Sequence, residues 1–295
     1  MTARTEHSSA TTAQEASART DDPASRHGEV KLDVKDGIAY VTLRRPGKLN
    51  SLTLSVLDDL VATAHKIRRD RTIRAVILAG ENHNFTAGLD FGSALKTPGG
   101  IAKAFAPRPW RGTNTFQEAC WAFRRLPVPV IAAVEGFCFG GGVQLVAAAD
   151  YRFTTADAQW SVLEAKWGLI PDMSGIFSLK QLLPIDTTKR LTMTGEVFDG
   201  TRAVELGLAS EVAEDPAAAA RALAEEIATR SPDSVAYAKR IIDETWTAGP
   251  RRTFFMERAR QARLLVAKNT KIAQKAAAKA RGAVVDARFK PREVR

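Results

Sequence analysis

Apolar and polar positions alternate in VKLDV and IAYVTL on either side of Asp36-Gly37, which predicts a β-hairpin from Val30 closed by a tight turn. Thr53 then opens TLSVLDDLVATAHKIRRD, where apolar residues recur at helical spacing, threonine holds a capping position and basic residues fill the last turn; this predicts a helix. The run AVILAG (75–80) is short, continuous and rich in branched residues, as a buried strand is, and VPVIAAVE (128–135) repeats the pattern after another helix-like segment. Beyond Thr154 the spacing becomes helical over 174–182, 186–194, 200–206, 216–230, 233–247 and 252–281, punctuated by Gly or Pro. The pattern is that of an α/β core followed by a helical C-terminal part, with no internal repeat.

Composition changes this picture at the two ends of the chain. Residues 1–28 hold almost no large apolar side chain and are expected to be a disordered tail, because they bury too little surface to offset the entropy of ordering. The expected organisation is therefore a tail over 1–28, a core over 29–200 and a helical region over 201–295. The net charge of +10 on 295 residues is a local property. Residues 251–295 carry 14 Lys and Arg against Glu257, Asp286 and Glu293, while the first 250 residues hold 29 basic and 30 acidic groups. A solvated helix face, a polyanionic small molecule, an acidic neighbouring subunit and nucleic acid all fit such a run; nucleic acid is the least favoured.

No apolar run approaches the roughly 18 residues a membrane-spanning helix needs, and a secretory leader pattern is not expected, so a cytoplasmic location is. Cys120 and Cys138 are too few for a disulfide framework, and they have no metal-type spacing with His7, His27, His65 and His83, so no metal is implied.

Two segments share a design. NFTAGLD (84–90) ends a strand in a loop with Gly88, and GFCFGGGVQL (136–145) runs through Gly140, Gly141 and Gly142 into a helix start. Glycine permits positive φ and lets a ligand approach main-chain N–H groups, which suits binding a negative oxygen. The triplet could equally serve close helix-to-strand packing. It is not a phosphate loop, since neither GxxxxGK[ST] nor GxGxxG is present.

The order and spacing of FTAGLD and PVIAAVEGFCFGGGVQLVAAADYRFTTADAQWSVLEAKWGLIPDMSG resemble the crotonase superfamily, the enoyl-CoA hydratase/isomerase family. RRPGKLNSL (44–52) is similar to that family's stretch near the coenzyme A cleft, and LTMTGEVFDGTRAVELGLASEV (191–212) is similar to a later block of it. The resemblance covers about residues 30 to 260. It implies a crotonase-like ββα spiral core, an acyl-CoA thioester as substrate, no cofactor beyond that coenzyme A, and a homotrimer or a hexamer built as a dimer of trimers. It further implies an oxyanion hole formed by the amides of Leu89 and Gly141, with Arg45, Lys48, Ala87, Gly88, Asp90 and Gly140 near the coenzyme A ester.

The same resemblance places two residues where the family's hydratases carry paired glutamates: Gln144 and Glu164. Gln144 cannot exchange a proton at any useful pH, although its amide can position water or a substrate group. One carboxylate suffices to move a double bond, and dienoyl-CoA isomerases carry a further aspartate eight residues on, where this chain has Asp172. The expected chemistry is thus proton transfer on an enoyl-CoA by Glu164 and Asp172, with isomerisation ahead of hydration by an atypical Gln144/Glu164 site. Coenzyme A ester binding without catalysis and RNA binding through the basic C-terminus are the remaining readings. Trp160 and Trp167 would line the cleft, and a Cβ at position 141 would intrude on the oxyanion. Asp172, after Pro171, could alternatively cap a helix; Asp150 is expected to be a turn or cap residue, and Cys138 a packed small side chain.

Overall fold

The computed structural model describes residues 29–90, 92, 98–280 and 287–294, so the expected tail over 1–28 lies outside the described residues. The hairpin forms as expected: β1 (Val30–Lys35) pairs antiparallel with β2 (Ile38–Leu43), and Asp36 and Gly37 both take positive φ, 53° and 76°, as a two-residue turn demands. The main sheet continues through β3 (Ala75–Gly80), β4 (Val130–Val134), β6 (Tyr151–Thr154) and β9 (Glu211–Val212), in the order β1-β2-β3-β4-β6-β9, with every pairing after the first parallel. A second sheet holds β5 (Phe137–Phe139), β7 (Gln159–Ser161) and β8 (Phe198–Asp199).

Covering both faces of the main sheet explains why β3 and β4 read as unbroken apolar runs. Val76, Leu78, Val130 and Ala132 face a large core with Leu57, Leu60 and Ala64 of α1 (Leu54–Arg69), whose first turn is capped by the Thr53 hydroxyl accepting from the Val56 amide. The same core holds Phe116 and Phe123 of α3 (Thr115–Arg124), which follows the short α2 (Pro98–Phe105), and Val143 and Val146 of α4 (Gly141–Ala147). Ile77 and Ile131 point the other way, into a smaller core with Ala220 and Ala224.

Those two alanines belong to α8 (Pro216–Ala228), which follows α5 (Gly175–Leu182), α6 (Ile185–Thr194) and α7 (Gly200–Leu206). The main sheet's outer layer and its last strand therefore lie past residue 200, and the core does not stop at that expected boundary. After α9 (Pro232–Thr245), the helix expected over 252–281 is two: α10 (Pro250–Val266) and α11 (Lys268–Ala280), separated at Ala267 with φ −69° and ψ 144°. The break follows from docking, because the fully buried Asn269 donates to Asp233 of α9 at 2.7 Å. Asp233 also accepts from the amides of Glu293 and Val294, which brings the end of the chain back onto the core. No side chain of α10 is buried, and Phe254 and Phe255 stand more than half exposed. No described helix is long and apolar enough to cross a membrane.

Candidate active site

The two glycine-bearing segments lie side by side. The Thr86 amide donates to the Phe137 carbonyl at 2.8 Å and the Phe139 amide returns a bond to the Thr86 carbonyl at 3.1 Å. Between Leu52 and residues 88–90 the ladder skips one residue: the Leu52 amide donates to Gly88 and the Asp90 amide donates to Leu52, leaving the Leu89 amide out. Gly88 has φ 92°, and a Cβ there would stand 2.8 Å from the Phe139 carbonyl oxygen, so only glycine allows this approach. Gly140, at φ 51°, turns the chain into α4, whose first amide is that of Gly141. Among the described residues neither the Leu89 nor the Gly141 amide has an acceptor.

Both residues line one cavity of about 480 Å³, together with Ala87, Gly88, Gly140, Gln144, Glu164 and Asp172. Glu164, in a short 3₁₀ turn (Leu163–Trp167), is only 7% exposed. One of its oxygens accepts from the Gln144 side chain at 2.5 Å; the other, Oε2, is buried without a partner. Burial pushes the Glu164 pKa up, the Gln144 hydrogen bond opposes this, and the charge of Asp172 adds to it. Burial likewise raises Asp172. The residue before α5 is Ser174, so Asp172 is not a helix cap. A carboxylate desolvated without a counter-charge is suited to exchanging protons near neutrality.

Gln144 turns out to be a brace. Its oxygen accepts from the amides of Met173 and Gly175 at 2.7 and 3.0 Å while one N–H of its nitrogen holds Glu164, so the oxygen is fully taken up by protein partners. A Cβ at 141 would meet the sulfur of Met173 at 2.8 Å and Leu52 at 3.2 Å, so packing alone already calls for glycine there. Gly142 serves close packing too, because a Cβ there would collide with the Thr86 methyl.

Of the expected aromatic pair, Trp167 lines the cavity and is 61% exposed, whereas Trp160 is in the core and donates to Thr154. Arg45, Lys48 and Asp90 do not line the cavity. Arg45 is bonded to Asp90 at 2.9 Å, to Ser51 and to Glu29, and so ties the 45–52 turn to the end of the Leu89 segment. Lys48 is exposed on that turn. Asp150 accepts from the Val130 amide and pairs with Lys239, as a structural residue does, and Cys138 is fully buried. No cluster of three metal-ligating side chains occurs among the described residues.

The sequence reading missed the cavity's apolar wall: Ile101, Phe105, Phe116, Leu163, Leu169 and Ile170. The one signal was Ile101 and Phe105, four apart on the short α2 and therefore on one helix face.

A spiral α/β core that closes an apolar cavity over two unpaired amides, the buried Glu164 and the half-buried Asp172 has the makings of an enzyme site. The chain belongs to the enoyl-CoA hydratase/isomerase family, whose sequence profile matches residues 33–278, and is thereby an enzyme acting on acyl-CoA. It is 33% identical over 234 residues to the mitochondrial Delta(3,5)-Delta(2,4)-dienoyl-CoA isomerase of Mus musculus, an alignment covering 76% of this chain and 72% of that one. It is 30% identical over 211 residues to the (E)-benzylidenesuccinyl-CoA hydratase of Thauera aromatica, covering 70% and 78%. Among solved structures, an enoyl-CoA hydratase of Mycobacterium tuberculosis superposes with a TM-score of 0.77 at 29% identity, over 90% of this chain and 99% of the other.

Proposed function

We propose that the protein isomerises a 3,5-dienoyl-CoA to the 2,4-dienoyl-CoA. The observation that carries this reading is that Glu164 and Asp172, both with raised pKa, line the same apolar cavity as the free amides of Leu89 and Gly141. Removing a proton from C2 of the thioester pushes charge onto the carbonyl oxygen and along the conjugated chain to C6. Two fixed N–H donors stabilise that charge where it develops, each contributing about 3–4 kcal/mol by the usual cost of removing one. One carboxylate takes the C2 proton and the other, protonated, gives one to C6, so the two double bonds shift to C2=C3 and C4=C5, into conjugation with the thioester carbonyl, and the number of protons on the substrate is unchanged. Mutual repulsion between two desolvated carboxylates favours the singly protonated pair that this transfer needs.

Gln144 holds Glu164 in place and supplies no acid or base, which counts against hydration by paired groups at 144 and 164. No cofactor enters this chemistry beyond the coenzyme A of the substrate. The exposed apolar side chains Phe254, Phe255, Leu265 and Val266 of the otherwise basic α10, with the mouth residues Trp167 and Ile170, suit burial against further copies, and we assign the protein a homotrimer or a dimer of trimers. Turnover on 3,5-dienoyl-CoA, 3-enoyl-CoA and 2-enoyl-CoA tests the reading. Dienoyl conversion fastest of the three supports it, and hydration of 2-enoyl-CoA at the highest kcat/KM overturns it in favour of the hydratase relatives.

A further inference from the structure

A second pocket lies away from this site. Helix α1, 16 residues and about 24 Å long, starts beside Leu52, which bridges Leu89, and ends at Arg69. At that end a pocket of about 740 Å³ is walled by Arg68, Arg69 and Arg71, by Arg111 and Arg125 on either side of α3, and by Arg292 of the returning C-terminal segment. It shares no lining residue with the active cavity.

Six arginines meet one lining carboxylate, that of Glu118, which is fully buried and already bonded to Arg111 and Arg125. Among the described residues, Arg68, Arg69, Arg71 and Arg292 have no carboxylate in ion-pair contact. Arg292 is the telling one. It is 1% exposed, its guanidinium reaches only the carbonyls of Ile73 and Val294, and its Nη2 is buried with no acceptor. Asp233 and Asp70 act on this charge without touching it, so the desolvated Nη2 still lacks an acceptor, which is costly, and an anion held in the pocket would offset that cost.

The rim says which anion. Trp110 lines the pocket and is 82% exposed, offering a flat indole face next to guanidinium forks that match phosphate oxygens. An inorganic polyphosphate would leave that face unused. RNA needs a groove with successive aromatic platforms, whereas here one tryptophan stands over one concave pocket of ordinary ligand size.

We propose that this pocket binds a polyphosphorylated nucleotide, base on Trp110 and phosphates on the arginines, at a site separate from the active cavity. The ligand is either a free nucleotide such as ATP or the 3′-phospho-ADP end of a coenzyme A ester. The inference is independent of which reaction the cavity performs.

Calorimetric titration of the full-length protein at about 0.15 M salt, with ATP, 3′-phospho-ADP, tripolyphosphate and a single-stranded RNA as probes, tests it. The expected result is saturable binding of one nucleotide per chain, undisturbed when an acyl-pantetheine thioester, which lacks the nucleotide, fills the cavity. Arg69→Glu/Arg71→Glu is expected to weaken binding by about tenfold or more. Trp110→Ala is expected to weaken the nucleotides several-fold while leaving tripolyphosphate unchanged, and both variants to keep wild-type turnover. Should the double variant fail to fold, Trp110→Ala, at an exposed rim, still decides. Tighter binding of 3′-phospho-ADP than ATP, or the reverse, identifies the source. Absence of saturable nucleotide binding, tripolyphosphate binding as tightly as ATP, RNA binding more tightly than either nucleotide, or displacement by the pantetheine ester each overturns the proposal.

Discussion

Glu118 and Glu164 are both shut away from solvent, at 0% and 7% exposure, yet they keep opposite company. Burial alone would raise Glu118, but hydrogen bonds from Thr113 and Arg111 and the charge of Arg125 outweigh it and hold the pKa below its ordinary value. Glu164 meets the same burial with one amide donor, an oxygen left without a partner and a second carboxyl nearby, so its pKa goes up. The difference teaches how this fold separates structure from chemistry. A carboxylate clamped by two guanidinium groups has one charge state and can only hold α3 and its flanks together. A carboxylate kept dry without a cation can change its charge state, which is what the proposed proton transfer asks of Glu164.

The largest effect that sharpens the contrast is catalytic. Glu164→Gln keeps the shape and the Gln144 contact but removes the exchangeable proton, and is expected to lower kcat on the dienoyl ester by about 10²- to 10⁴-fold with no loss of thermal stability. A change confined to KM would break the contrast. The counterpart is Glu118→Gln, which leaves the half-buried Arg111 and Arg125 around a fully buried side chain that no longer carries the charge they pair with. It is expected to cost about 3–5 kcal/mol in chemical denaturation while kcat per folded molecule stays at the wild-type level. If the activity fell instead and the stability did not, the two glutamates would have exchanged roles.

Gln144→Ala lies between the two. It leaves the buried amides of Met173 and Gly175 without their acceptor and frees Glu164, so a loss of about 1–3 kcal/mol in stability is expected together with a fall in kcat. Unchanged stability would mean that the brace is not one.

What the sequence shows and what it hides divide along the same line. The hairpin, α1 and the runs AVILAG and VPVIAAVE were legible because each depends on neighbours within a few residues: a turn, a cap, a strand with two covered faces. The Leu89 and Gly141 segments were legible because glycine marks backbone that other residues cannot adopt. The rest is set by partners far away in the chain. Nothing local tells that Gln144 reaches Glu164, Met173 and Gly175, that Trp160 turns inward to Thr154, or that Arg45 is taken up by Glu29 and Asp90. The break at Ala267 likewise depends on Asn269 finding Asp233, 36 positions earlier. The pairing of Glu118 with arginines at 111 and 125 carried no sign that the carboxylate itself would be fully buried between two half-buried guanidinium groups.

The smallest and most discriminating effect is the pH dependence of stability, because linkage gives the two glutamates opposite signs. Glu118 has a folded-state pKa below its unfolded one, so the stability it contributes is fully present above the unfolded value and is lost as pH falls through the depressed one. The stability difference between wild type and Glu118→Gln is therefore level near neutrality and shrinks in acid. Glu164 has a folded-state pKa above its unfolded one, so the folded protein resists its ionisation, and the wild type loses ground to Glu164→Gln as pH climbs from the ordinary glutamate range through the raised value. Part of that slope comes from Asp172, whose charge raises Glu164, so adding Asp172→Asn to the wild type is expected to flatten it without reversing it. Denaturation of the wild type and these variants from about pH 3 to pH 8 is expected to give difference curves that bend at opposite ends of the range. Curves that bend at the same end would show that the two burial sites treat a carboxyl alike, and the separation of the structural glutamate from the chemical one would be lost.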